Sequence, residues 1–182
     1  MESTTPIAVD IQKVRVIFAR MRDELSGFMN SREFNMSNAQ MFTFLSYTPN
    51  ALAIASDGIV DEHEYMELER LSMVMNVKMM VNLDLMELLA LAPEPSDVMT
   101  NEEFNIRAGS EMLFLCKNMA QYESAFLGAL KNMLQLDTKP GEPGSIASSF
   151  NAMMNHMVHT SKSKHKEREF SKLAEMRNKL GL

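Results

Sequence analysis

The sequence has 182 residues, of which 46% are hydrophobic and 23% charged, a balance typical of one folded domain with a buried core. Its 18 basic and 24 acidic side chains give a net charge of −6 at pH 7. No stretch approaches the roughly 20 apolar residues that a membrane-spanning helix needs, so we expect no membrane span. The first residues lack the basic region and apolar core of a secretory signal, which predicts a cytoplasmic protein.

The spacing of apolar residues predicts an all-α protein. Glycine and proline are scarce, with 7 and 6 residues, and apolar side chains recur at helical rather than alternating intervals. We therefore expect a helical bundle of about five to seven helices with a C-terminal helical tail. The 19 methionines are interpreted as flexible core-filling side chains, and the single cysteine, Cys116, as a buried and unreactive thiol.

The first two predicted helices lie in residues 10–55. The first runs from Asp10 to about Asn30, because apolar residues alternate at intervals of three and four. This stripe consists of Ile11, Val14, Phe18, Met21, Leu25 and Phe28. The second runs over about residues 38–55 and contains Pro49, which cannot donate a backbone hydrogen bond. The helix is therefore either kinked at Pro49 or restarts there with Thr48 as its N-cap.

Two capping boxes mark the starts of later helices. Asp61 and Glu64 have the spacing of one, which predicts a helix from Glu62 to about Met75. We predict that its inward face consists of Tyr65, Leu68, Leu71, Ser72 and Met75. A short helix is expected near residues 82–92. Thr100 and Glu103 form the second capping box and open one long helix that ends near Leu136. Its predicted seam is Phe104, Ala108, Leu115, Met119, Tyr122, Phe126, Leu130 and Met133, with Gly109 and Gly128 as points of close packing.

A proline- and glycine-rich run, "DTKPGEPGS" at residues 137–145, divides the chain into two parts of opposite charge. Residues 1–137 hold 10 Lys and Arg against 20 Asp and Glu, a net charge of −10. Residues 138–182 hold 8 and 4, a net charge of +4. We expect a helical bundle over 1–137, followed by a linker and a basic amphipathic helical tail over 138–182. The tail can dock on its own domain, on a second copy or on another anionic partner.

The stretch "ASDGIVDEHE", residues 55–64, resembles the second half of a calcium loop. With Gly58 at position 6 of such a loop, Asp57, Asp61 and Glu64 occupy positions 5, 9 and 12. Positions 1 and 3 fall on alanines, which excludes an ordinary EF-hand and leaves a partial oxygen site. The same residues also suit a purely structural role, because Asp-Gly forms a turn and the capping box begins a helix.

The longer stretch "ALAIASDGIVDEHEYMELERLSMVMNV", residues 51–77, resembles the signature of tellurite-resistance TerB-like domains. The resemblance implies a small helical bundle linked to stress response. It also implies that Asp57 and Glu64, with Asp61 beside them, bind a divalent metal. The family tends to repeat this Asp-Gly…Glu pattern in its second half, where the present chain reads "LQLDTKPGEPGS".

The tail offers two further candidates. In "FNAMMNHMVH", residues 150–159, His156 and His159 lie three residues apart among methionines that suit Cu(I). An apolar stripe for helix docking explains the same segment and is favoured. This stripe is Ile146, Phe150, Met153 and Met157. In residues 161–180, seven basic residues stand against three glutamates. There Lys164, Lys166 and Arg168 are predicted to dock on an acidic surface within or between subunits, in preference to nucleic acid.

No motif of an enzyme is present, since the sequence contains no phosphate-binding glycine loop, no nucleophile elbow and no HExxH zinc motif. We therefore predict a non-enzymatic interaction module. It binds a divalent cation (Ca, Mg, Mn or Zn) through Asp57, Asp61 and Glu64, and it acts on a protein partner or by self-association. The alternative is a metal-free adaptor whose basic tail docks on an acidic surface or mediates oligomerisation.

Overall fold

The fold is given by a computed structural model, which describes residues 10–54, 61–66, 89–136, 146–148, 151 and 166–182. Within them lie five helices of 15 or more residues: α1 (Ile11–Arg32), α2 (Asn38–Ile54), α3 (Asn101–Lys117), α4 (Met119–Leu134) and α5 (Lys166–Leu180). Shorter helical stretches occupy 62–66 and 146–148, and the described residues contain no strand. The all-α prediction is confirmed. None of the described helices is long and apolar enough to cross a membrane.

Helix α2 lies at the centre of the bundle. It contacts α3, α4 and α5, while α1 packs along α4. Helix α4 also contacts α3 and α5. Nearly every described residue of α2 is buried, as expected for a helix that is surrounded by others. The C-terminal helix α5 is therefore part of the shell that covers the central helix.

Helix α1 begins and ends at well-formed caps. The side chain of Asp10 accepts a hydrogen bond from the Lys13 N–H at 3.1 Å. At the other end Glu33 adopts a left-handed conformation with φ 48°, and the Phe34 N–H donates to the Met29 carbonyl at 2.9 Å, as in a Schellman motif. The predicted stripe is buried except for Ile11, which is 44% exposed, so that prediction is wrong at its first member. Burial begins one turn later along the helix.

Helix α2 starts at a capping box that was not predicted from the sequence. The Ser37 hydroxyl accepts from the Gln40 N–H at 3.2 Å, and the Gln40 side-chain oxygen accepts from the Ser37 N–H at 2.9 Å. The helix then continues through Pro49, so the restart, one of the two alternatives predicted for this residue, is excluded. The Thr48 hydroxyl donates to the Phe44 carbonyl at 2.9 Å, inside the helix, instead of capping a new one. Packing on several sides holds the helix together across the missing backbone donor.

The long helix that was predicted from Asn101 to about Leu136 is two helices, which is a further correction. The chain breaks at Asn118, whose φ and ψ are −120° and 29°. The side-chain amide of Asn118 donates to the Phe114 carbonyl at 2.9 Å, in competition with the helical backbone pattern. The predicted capping box of Thr100 and Glu103 is confirmed at the start of α3.

The core combines an aromatic cluster with methionines. The ring of Phe28 on α1 lies edge-on to Phe126 and Tyr122 of α4, with centroids 5.1 and 5.3 Å apart. Phe34 and Phe44 extend this cluster, with ring centroids 5.4 Å apart. Buried methionines fill the space around the rings, as predicted. They include Met21, Met36, Met41, Met112, Met133 and Met176.

Several predictions fall outside the described residues. They are the helix to Met75 beyond residue 66, most of the short helix near 82–92, the boundary at 137–145, and the histidine and methionine segment apart from residue 151. The division into two parts at residue 137 therefore stays a prediction.

Candidate functional site

The candidate site is centred on Glu64, the third residue of the helical stretch 62–66. The Glu64 N–H donates to Asp61 Oδ1 at 2.8 Å, and the Asp61 N–H donates to Glu64 Oε2 at 3.1 Å. These two bonds confirm the predicted capping box. Glu64 is only 2% exposed, whereas Asp61 is exposed. A carboxylate in such a position is costly to keep charged unless another group compensates it.

Arg168 of α5 supplies the compensating charge. Its Nη2 donates to Glu64 Oε1 at 2.6 Å, across 104 residues of sequence. Each oxygen of Glu64 therefore accepts one hydrogen bond, Oε2 from the backbone and Oε1 from the guanidinium. The Arg168 side chain is 30% exposed, so solvent still reaches one side of the pair. A single carboxylate thus joins the start of the 62–66 helix to the C-terminal helix.

Two apolar side chains and a second ion pair hold α5 on the bundle. Leu173 and Met176 are buried in the core, one and two turns beyond Arg168. Lys172 forms an ion pair with Glu123 of α4. Glu169 is also buried, at the same end of α5. The contact surface of α5 therefore combines apolar anchors with two basic side chains, Arg168 and Lys172, that pair with glutamates outside α5.

The last turns of α5 carry an ion pair within the helix, and its glutamate, Glu175, also lies 3.8 Å from Lys172 Nζ. Lys179 Nζ lies 2.6 Å from Glu175 Oε1, and both side chains are about half exposed. The hydrogen bond from Lys179 lowers the pKa of Glu175 below its ordinary value. This pair lies within one helix, so it does not join α5 to the bundle.

Cys116 lies near the same buried carboxylate. Its thiol donates to the Ala51 carbonyl at 3.3 Å, between α3 and α2. Burial, and secondarily the negative charge of Glu64, raise the pKa of the Cys116 thiol to about 12. A thiol with this pKa stays protonated at neutral pH, and Cys116 is fully buried as predicted.

The predicted site residues are placed unequally. Asp61 and Glu64 lie together, whereas Asp57 lies outside the described residues. Within the part of the chain that the structure describes, no group of three or more His, Cys, Asp or Glu side chains is arranged to hold a metal ion. The metal site with all three acidic residues therefore stays a prediction.

The carboxylate of Glu64 does not fit the role of a free metal ligand. Both of its oxygens already accept hydrogen bonds, and Ca²⁺ takes six to eight oxygen ligands in proteins. A cation at Glu64 would lie beside the positively charged Arg168 guanidinium, which disfavours its binding. Metal binding and docking of Arg168 therefore oppose each other electrostatically.

The predicted tail residues and one core residue also have separate outcomes. Arg168 contacts Glu64. Lys166 is the first residue of α5, and the structure does not describe its side chain. Lys164 lies outside the described residues. Their combined role stays a prediction. Tyr65, predicted to face inward, is 43% exposed, so that prediction is wrong. Glu64 takes the buried position, and the next residue of a helix is rotated by about 100° away from it.

A second buried carboxylate, Glu111 of α3, was not found from the sequence. Arg32 Nε donates to Glu111 Oε2 at 2.8 Å, and Arg107 Nη2 donates to Oε1 at 3.1 Å. The guanidinium of Arg32 stacks on the ring of Phe114 at 3.9 Å. The hydrogen bond to Glu111 raises the pKa of Arg32. The i, i+4 spacing of Arg107 and Glu111 was the available sequence signal.

A third polar cluster joins α1 to the start of α2. Arg22 donates to the Met36 carbonyl at 2.8 Å and to Asn38 Oδ1 at 2.5 Å. Glu94 accepts from the Asn38 N–H at 3.0 Å and lies 3.5 Å from Arg22 Nη2. Burial lowers the pKa of Arg22, partly offset by the charge of Glu94. The cluster supplies hydrogen-bond partners to the backbone and side chain of Asn38 at the start of α2, which is a structural role.

Comparisons with known proteins gave no match to a family model, to a curated protein or to a solved structure. The resemblance to TerB-like domains therefore depends on the motif in residues 51–77 alone.

Proposed function

We propose that the protein is a non-enzymatic helical interaction module whose basic C-terminal helix docks on the acidic bundle through Arg168 and Glu64. The observation that carries the proposal is the 2.6 Å hydrogen bond between these residues, made to a carboxylate that is 2% exposed. The relation to TerB-like domains, the stress-related role that it implies and the cytoplasmic location belong to the same proposal. They rest on the sequence.

The energetics favour a specific docking arrangement. An ionised carboxylate that is buried without a partner charge is strongly destabilising. Loss of Arg168 removes the positive charge beside Glu64, and the hydrogen bond from the Asp61 N–H stays. Breaking a fully buried pair costs about 3–5 kcal/mol, and partial exposure of Arg168 reduces this figure. Arg168 is therefore the side chain that makes docking of α5 compatible with a charged, buried Glu64.

The sequence of α5 has the pattern of a helix that is recognised in a groove. Its anchors at Leu173 and Met176 are three residues apart and lie on one face, with Lys172 beside them. The bundle supplies Glu64 and Glu123 for the two basic side chains. The binding chemistry of the module is thus the recognition of an amphipathic basic helix.

Hydrogen exchange of the α5 backbone tests this proposal. In Arg168→Gln we expect amides of α5 to exchange at least about tenfold faster than in the wild type, since each 1.4 kcal/mol corresponds to a factor of ten. The matched control is Lys179→Gln, because the ion pair of Lys179 with Glu175 lies within α5. Equal exchange of α5 in Arg168→Gln and the control would contradict the proposed docking role.

Divalent metal binding through Asp57, Asp61 and Glu64 is the second candidate, and it rests on the spacing of these acidic residues in the sequence. Metal-stripped protein is titrated in a calorimeter with Ca²⁺, Mg²⁺, Mn²⁺ and Zn²⁺. The metal hypothesis predicts saturable binding that is lost in Asp57→Ala, Glu64→Ala. It also predicts tighter binding in Arg168→Gln, where no guanidinium competes for Glu64. Absence of saturable heat in the wild type and in Arg168→Gln would reject it.

A further inference from the structure

The docking contacts of α5 are made to partners that are remote in sequence. Arg168 binds Glu64 across 104 residues, and Lys172 binds Glu123 across 49 residues. Leu173 and Met176 enter the core beside them. The two ion pairs and the two apolar side chains thus hold α5 without help from residues next to it in sequence. The groove of the bundle, defined as the surface of α2 and α4 with Glu64 and Glu123 on which α5 packs, therefore recognises the surface of α5 itself.

The length of the intervening sequence permits α5 to reach a second bundle. Residues 152–165, between the last described residue of the intervening segment and α5, are 14 positions. Fully extended, a chain of this length spans up to about 50 Å. A folded bundle of the size of residues 1–136 has a radius of gyration of about 14 Å. Sequence connectivity thus does not restrict α5 to the groove of its own chain.

Charge complementarity gives the second argument. Residues 1–137 carry a net charge of −10 and residues 138–182 a net charge of +4. Two bundles without tails repel each other, whereas each bundle with a docked tail is partly neutralised. A second copy of the chain supplies the same basic helix, with Arg168, Lys172, Leu173 and Met176 at the same spacing. It therefore fits the groove by every contact that the structure shows.

We propose that α5 exchanges between two copies of this chain, so that each bundle binds the C-terminal helix of the other copy. This inference rests on the proposed docking function and names its partner. The closed monomer and the exchanged dimer contain the same Glu64 and Arg168 pair, once per bundle. The exchanged dimer becomes the main species only when the protein concentration exceeds the effective concentration of the tethered α5 at its own bundle.

Paired charge reversals test the exchange directly. Glu64→Arg and Arg168→Glu are purified as separate proteins, and each places like charges together in its own closed form. In a mixture, an exchanged heterodimer contains one native pair and one reversed pair, so both bundles are satisfied. Light scattering is expected to give a mass twice the 20.6 kDa of one chain for the mixture, and the mass of one chain for each protein alone.

The double variant Glu64→Arg, Arg168→Glu is the matched control, because it restores the pair within one chain. If it regains wild-type protection of α5 while the mixture stays monomeric, the exchange is overturned and the docking function stands. If the double variant regains no protection and the mixture does not associate, both proposals are overturned. A dimer that forms in the mixture, and in neither protein by itself, supports both the docking function and the exchange.

A second measurement does not depend on the folding of the charge-reversed chains. Wild-type protein labelled with ¹⁵N is mixed with unlabelled wild type at increasing concentration, and native mass spectrometry detects dimers. We expect dimers with one labelled and one unlabelled chain, which are lost in Arg168→Glu. Only monomers at every concentration up to about 1 mM, a typical effective concentration of a tethered segment, would overturn the exchange. Dimers that persist unchanged in Arg168→Glu would overturn it as well.

Discussion

Two buried glutamates illustrate two different uses of an ion pair in this protein. Glu111 is 3% exposed and Glu64 is 2% exposed, so both need a compensating charge. Glu111 binds two arginines, one on its own helix and one at the end of α1. Glu64 binds one arginine, on the C-terminal helix. The first carboxylate joins helices inside the bundle, and the second joins the bundle to α5.

The surroundings of the two pairs sharpen this contrast. Arg107, which binds Glu111, also donates to the carbonyls of Arg32 and Glu33, at 2.9 Å each, and so closes the end of α1. Glu64 instead accepts from the N-cap backbone of its own helix. Loss of the first carboxylate therefore affects the folding of the whole bundle. Loss of the second contact affects the docking of one helix.

The largest expected effect is that of Glu111→Ala. We expect a loss of about 3 kcal/mol in the free energy of unfolding, because two arginines lose their buried partner and a space is left behind. Urea denaturation followed by circular dichroism measures it. Glu102→Ala, at an exposed position of the same helix, is the control and should change the free energy by less than about 0.5 kcal/mol. Equal losses in Glu111→Ala and Glu102→Ala would show that the buried carboxylate of Glu111 contributes no more to stability than an exposed one.

Arg168→Ala is expected to have the next largest effect, about 2 kcal/mol, because Glu64 stays buried with one donor while solvent partly replaces the guanidinium. The loss should be local. Protease cleavage within α5 should become faster, while exchange of α1 and α4 amides stays close to that of the wild type. Simultaneous loss of protection in α1 and α5 would show that the two carboxylates do not act on separate parts of the fold.

The buried thiol gives a prediction about pH. The pKa of Cys116 is raised from 9.0 in the unfolded chain to about 12 in the fold. Its contribution to stability is thus fully present below pH 9 and is lost as the pH rises toward 12, by up to about 1.4 kcal/mol per pH unit. Urea titrations of the wild type and Cys116→Ala between pH 8 and 11 measure the difference. Parallel pH profiles for the two proteins would contradict the raised pKa.

The smallest expected effect is a stabilisation. Glu33 has a left-handed conformation with φ 48°, which is unfavourable for a residue with a Cβ atom. Glu33→Gly should raise the free energy of unfolding by about 0.5–1 kcal/mol, because glycine is the preferred residue at this position of a Schellman motif. Asp23→Gly, in the exposed interior of the same helix, should lower it by about 0.3 kcal/mol, because glycine is a slightly poorer helix former than aspartate. Destabilisation by both variants would argue against the left-handed cap.

Much of the fold could be predicted from local sequence patterns. The stripe of α1, the capping boxes at Asp61 and Thr100 and the burial of Cys116 depend on neighbouring residues or on composition, and the structure confirms them apart from Ile11. The break at Asn118 was missed because an asparagine side chain can either face solvent or bind the preceding turn. The packing that lets α2 continue through Pro49 involves helices far along the chain.

The candidate site was predictable only in part. The sequence identified Glu64 and Arg168 for separate reasons, the first from an acidic turn and the second from a basic tail. The two residues are 104 positions apart in sequence, and a local sequence pattern does not predict a contact between residues so far apart. Glu111 was missed because its burial depends on how α1 ends against α3, although its spacing from Arg107 was visible in the sequence.

A double-mutant cycle on Glu64 and Arg168 tests the central claim most directly. Glu64→Gln keeps an acceptor for the capping box, so the cycle with Arg168→Gln isolates the charged contact between the two side chains. The free energy of unfolding is measured by urea denaturation for the wild type, both single variants and the double variant. We expect a coupling energy of at least about 1 kcal/mol, with the double variant no less stable than Arg168→Gln alone. Additive effects within about 0.3 kcal/mol would contradict the docking of α5 through this pair.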